Sequence, residues 1–120
     1  MKTTATGNIN GRNTGQTGTR PIVEATGDYT VEPQHGGGMI RCTQAANDVF
    51  VTLTATVGAG FFLDIMADGA TSTVQFDTAD GVTVRSRGGR LQLVDRYSVA
   101  RAECIAPGEW VVSGDVETGA

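Results

Sequence analysis

The first 21 residues of this chain cannot fold by themselves, and that fact constrains the rest. They read MKTTATGNINGRNTGQTGTRP, with six Thr, four Gly, three Asn and Ile9 as the only branched aliphatic. No face of such a segment buries enough apolar area to offset the entropy of ordering its backbone. From Ile22 the pattern changes to short apolar runs cut by Gly, Asp and Asn. The sequence therefore predicts an extended polar arm over 1–21 and one folded domain over 22–120. Gly7, Gly11 and Gly15 recur every four residues, whereas a collagen triple helix needs glycine at every third. A chain of this kind can lie extended along another surface. A domain carrying it is expected to bind or to build before it is expected to catalyse.

Within the domain the apolar residues follow a two-residue period. Val49, Val51 and Leu53 alternate with polar or half-exposed positions, and Phe61, Leu63 and Ile65 share a face opposite Phe62, Asp64 and Met66. Val74 with Phe76, and Leu91 with Leu93, continue the pattern, which is that of strands with one face in a core. Asp68-Gly69, Asp80-Gly81, Arg87-Gly88-Gly89 and Pro107-Gly108 punctuate these runs and predict tight turns between neighbouring strands. No segment has helical periodicity with start and stop signals. The expected fold is all-β, an antiparallel β-sandwich or jelly-roll-like domain preceded by its N-terminal arm. With aromatics at 6%, the core relies on Val, Leu, Ile and Ala, and a thin core gains stability by oligomerising.

A net charge of −4 lacks the basic footprint of nucleic-acid binding. The charges are segregated, however. Five aspartates (Asp48, Asp64, Asp68, Asp77, Asp80) and no Lys or Arg lie between Cys42 and Val84, whereas five arginines and only Asp95 lie between Arg85 and Arg101. Salt bridging within the monomer is the simpler account. The sharper one has acidic and basic sides meeting across copies, which fixes orientation more than affinity. The longest apolar run, around Phe61 to Met66, is interrupted by Asp64 and too short to span a bilayer, and no signal-peptide core precedes the domain. Synthesis in a cytoplasm is expected, with Cys42 and Cys104 as buried free thiols.

Chemistry has little support. His35 sits in a glycine loop, where an exposed histidine is expected, and no G-x-S-x-G motif is present. The aspartates could supply a carboxylate pair for glycoside hydrolysis, but hairpin turns select Asp anyway for backbone geometry. No Cys/His pair has zinc spacing and no calcium loop is found. The reading is therefore no enzyme, no cofactor and no metal. Trp110, beside Val111 and Val112 in the last strand, is expected to be buried in a core or subunit interface rather than exposed to sugars. Arg85 and Arg87 project from one side if Val82 and Val84 face the core, and are candidate anchors for an acidic partner.

The stretches VTLTATVGAGFFLDIMADGA, STVQF, DGVTVRSRGGRLQLV, YSVARAEC and GEWVVSGDV follow one another between Val49 and Val116. This succession resembles a small β module of tailed-bacteriophage virion proteins, used on tail fibres or spikes and in capsid-decorating (cement) proteins. The resemblance implies an assembly role. Combined with an arm and a single domain, it points to a homotrimeric decoration protein that stabilises the capsid. Such a protein would be assembled in the host bacterial cytoplasm and carried on the virion surface, with the major capsid protein as partner and neither nucleic acid nor membrane. Ile9 is then the apolar peg of the arm, and Arg12 and Arg20 its charged anchors. The rival expectation is a tail accessory or receptor-binding domain that recognises host-surface glycan through its loops and Trp110.

Overall fold

A computed structural model of the chain describes residues 19–118. The arm's candidate contacts Ile9 and Arg12 lie outside the described residues. Among the described residues eleven strands form two sheets. The first six alternate between layers: β1 (Ile22–Ala25), β3 (Met39–Cys42) and β5 (Phe62–Ala67) in one, β2 (Tyr29–Thr30), β4 (Val49–Leu53) and β6 (Val74–Thr78) in the other. Then follow β7 (Thr83–Ser86), β8 (Gln92–Leu93), β9 (Val99–Ala106), β10 (Glu109–Gly114) and β11 (Val116–Glu117). The six-stranded sheet runs β1-β3-β5-β9-β10-β7 and the five-stranded sheet β11-β8-β6-β4-β2.

The all-β architecture in two sheets agrees with the sequence, but the antiparallel, jelly-roll-like arrangement does not. β1, β3 and β5 pair in parallel, as do β2, β4 and β6. The first half of the domain winds like a solenoid. A parallel partner in the same sheet cannot be reached through a tight turn. Here each return passes through a strand of the opposite layer, so short loops suffice. Ile40 pairs with Ile65 and Val51 with Phe76, an offset of 25 positions in both sheets.

Three of the four expected tight turns therefore join layers instead of closing hairpins. Asp68-Gly69 links β5 to β6, Asp80-Gly81 links β6 to β7, and Arg87-Gly88-Gly89 links β7 to β8, each pair lying in different sheets. Only Pro107-Gly108 closes a hairpin, between antiparallel β9 and β10, with Gly108 at φ 73°. Glycine at position 69 answers a different need. A Cβ there would lie 1.9 Å from the Gln44 carbonyl oxygen, so two loops touch backbone to backbone.

One apolar cluster fills the space between the sheets. Ile40, Leu63 and Ile65 come from one layer and Val49, Val51, Leu53, Val74 and Phe76 from the other. Ala100 and Ala102 on β9 are buried, and their small size lets the layers approach. Trp110 on β10 is 0% exposed, meets Phe61 edge to face at 6.1 Å between ring centroids, and donates its indole N–H to the Thr54 carbonyl at 2.8 Å. Both cysteines are buried and free, and burial pushes the Cys42 thiol up to about 11.

Candidate functional site

The two outer faces differ in kind. On the five-stranded sheet, Thr30, Thr52 and Asp77 lie in one register row, and Phe50, Gln75, Gln92 and Glu117 in the next. That face is mostly polar, with Phe50 exposed on it. The six-stranded sheet presents Ile22, Met39, Phe62, Met66, Val99, Ile105 and Val111 outward among arginines and carboxylates.

Its organising element is β5, flanked in the sheet by β3 and β9. Leu63 and Ile65 enter the core, so alternation turns Phe62, Asp64 and Met66 outward, and Asp68 continues the row past the strand end. Asp64 is only 7% exposed. It accepts hydrogen bonds from Arg101 Nε at 2.8 Å and Nη2 at 3.2 Å, and pairs with Arg20 on its other side. Asp68 accepts from Arg41 Nε at 2.7 Å and Arg96 Nε at 3.1 Å. Bonding to Arg101, reinforced by Arg20, holds the Asp64 carboxyl below the ordinary range although burial opposes it. Asp68 is held low by Arg41 and then Arg96.

Each buried carboxylate thus fixes two guanidinium groups that still present N–H donors to solvent. Arg101 also lies over the Phe62 ring, 4.3 Å from its centroid. Arginines pinned by carboxylates and aromatic rings lose little further freedom on binding. Arginine and aromatic side chains are also enriched at protein interfaces. Glu24, Glu103 and Glu109 add acceptors on the same face, and Arg85 stands 3.7 Å from Glu109. The surface is suited to docking a folded partner with mixed polar and apolar character.

The segregated charges noted in the sequence are partly joined here. Asp64 meets Arg101, its direct register neighbour on antiparallel β9, and Asp68 meets Arg96. The simpler account, bridging within the monomer, holds for these pairs. Arg20, expected as an anchor onto another subunit, makes its ion pair within the chain. Arg85 lies on the edge strand β7, where its neighbours Val82 and Val84 pack against the core as expected. The strand ends at Ser86, and Arg87 opens a 3-10 turn, so the two arginines do not continue one row. Arg41, Arg96 and Arg101 had no assigned role in the sequence. The signal that would have found them is the register of Asp64 with Arg101, which requires knowing that β5 pairs with β9.

Other candidates resolve plainly. His35 is half-buried, not exposed; it stacks on Tyr29 and shares a 2.7 Å hydrogen bond with the Tyr29 hydroxyl. Trp110 is buried, so it cannot serve as a sugar platform. Among the described residues no group of three or more His, Cys, Asp or Glu is placed to hold a metal ion, and no helix is long and apolar enough to cross a membrane. No protein-family model, curated protein or solved structure matches the chain.

Proposed function

We propose that this protein is a structural component of a tailed-phage virion that decorates and stabilises the capsid. On this reading the two-layer, sandwich-like body trimerises over junctions between capsomers, and residues 1–21 lie along subunits of the major capsid protein. The role is mechanical: bridging subunits that pressure from packaged DNA would separate. The observation that carries the reading is the outer face of the six-stranded sheet, where buried aspartates pin exposed arginines between apolar side chains. Arg20, close to the start of the described residues, is ion-paired to Asp64 on that face, and on this reading the residues before it lie along the shell.

Co-sedimentation with capsids lacking the protein tests it. Ile22 and Ile105 are exposed on this face, at 58% and 48%, so glutamate at both positions leaves the fold intact. I22E/I105E is expected to lose shell binding, as is deletion of residues 1–18, whereas Phe50→Glu on the opposite sheet binds normally. Normal binding by both I22E/I105E and the truncation contradicts the reading.

A second reading, a tail accessory that recognises host-surface glycan, has one observation in its favour. Tyr97 is 63% exposed, is held at φ 74°, and carries the Arg96 guanidinium 5.0 Å from its ring centroid. An exposed aromatic in a strained conformation fits a ligand contact. The residue for that role is Tyr97, not Trp110. Glycan binding abolished by Tyr97→Ala would favour this reading over the first.

A further inference from the structure

β7 is the terminal strand of one sheet and β11 that of the other, at one edge of the domain. A cavity of about 230 Å³ opens there, lined by Arg87, Arg90, Val112, Ser113, Gly114 and Val116. The arginines flank Gly88 and Gly89, both in the left-handed region at φ 66° and 70°. That turn brings the side chains to one opening. Arg90 folds back over Gly88, its Nε 3.4 Å from where a Cβ on that glycine would stand. Among the described residues neither Arg87 nor Arg90 forms an ion pair, unlike Arg20, Arg41, Arg85, Arg96 and Arg101. Two arginines without an ion pair therefore line a cavity together with Val112 and Val116, and no carboxylate is among its lining residues.

We infer that this pocket binds an aliphatic carboxylate through Arg87 and Arg90. The volume falls below the roughly 300–1,000 Å³ of ordinary ligand pockets, which leaves out an oligosaccharide and admits a group of a few carbons. A carboxylate takes paired N–H donors from guanidinium on one side and presents methylenes on the other, matching arginines opposite valines. A phosphate has acceptor oxygens all round, and those facing the valines would lose their partners. The carboxylate has two sources, a free short-chain acid or an acidic side chain of another protein. The assignment goes beyond the virion role and does not depend on it.

The test is an amide chemical-shift titration of the full chain with butyrate, butyramide, inorganic phosphate and N-acetylglutamate amide. Butyrate is expected to give saturable shifts at Gly88, Gly89 and Gly114, with half-saturation in the millimolar range typical of so small a ligand. Butyramide and phosphate bind at least tenfold more weakly. Both arginines are exposed, so Arg87→Gln/Arg90→Gln keeps the fold and weakens butyrate at least tenfold. Val116→Phe, which fills the pocket and leaves both arginines, does the same. Tighter binding of N-acetylglutamate amide than of butyrate identifies the source as a protein side chain, and weaker binding a free acid; each supports the site. Shifts that do not saturate, equal binding of butyramide or phosphate, or unchanged binding in the arginine variant overturns it.

Discussion

Asp64 and Arg101 face each other as direct register partners on antiparallel strands, joined by two hydrogen bonds on the outer side of the six-stranded sheet. A charged pair on a solvent-facing sheet surface ordinarily contributes little. This one differs because the carboxylate is buried while the guanidinium is not.

The pair makes stability depend on acid. Asp64 and Asp68 both have lowered pKa values in the folded protein, so the unfolded chain binds protons first. Their contribution is complete above the unfolded value of about 3.9 and is lost as pH falls through the folded values. The urea midpoint should fall below about pH 4, and D64N/D68N should flatten that fall. Equal acid slopes in the variant and the parent would show that these carboxylates are not linked to folding.

Trp110 is the second point of leverage. Trp110→Phe removes the donor to the Thr54 carbonyl and leaves a void, which should cost about 2–4 kcal/mol in urea unfolding. As the only tryptophan, it should also resist iodide quenching in the native state. Ready quenching would contradict its burial.

Two glycines predict opposite outcomes. Gly69→Ala forces a Cβ into the Gln44 carbonyl and should destabilise by roughly 3 kcal/mol or more. Gly27 has nothing within 4 Å of the same added atom, and Gly27→Ala should be neutral or stabilise by up to about 1 kcal/mol. Thermal unfolding of both variants decides it, and similar effects would refute the loop contact.

Ser86 carries a buried hydroxyl oxygen with no hydrogen-bond partner among the described residues. Removing an unsatisfied polar group relieves its desolvation cost. Ser86→Ala should therefore leave the melting temperature unchanged or raise it; a clear fall would reveal a partner for the hydroxyl.

Much of the fold is legible in the sequence because a two-residue period fixes which face a side chain takes. Leu63, Ile65, Val74, Phe76 and Leu93 all enter the core as their spacing implies. The period says nothing about which strand lies alongside, or in which direction. Asp-Gly turns read equally well as hairpin closures or as steps between layers, so the parallel winding was hidden. Its trace is the 25-position offset that matches Val49 with Val74 and Val51 with Phe76. The ion-paired outer face was hidden for the same reason. Asp64 and Arg101 stand far apart in the chain, and only the β5–β9 pairing joins them.

Copy number in purified virions, by quantitative mass spectrometry, tests the central claim most directly. The account predicts hundreds of copies per particle, comparable with the major capsid protein. A handful of copies would move the protein to the tail, and absence from particles would contradict a virion role altogether.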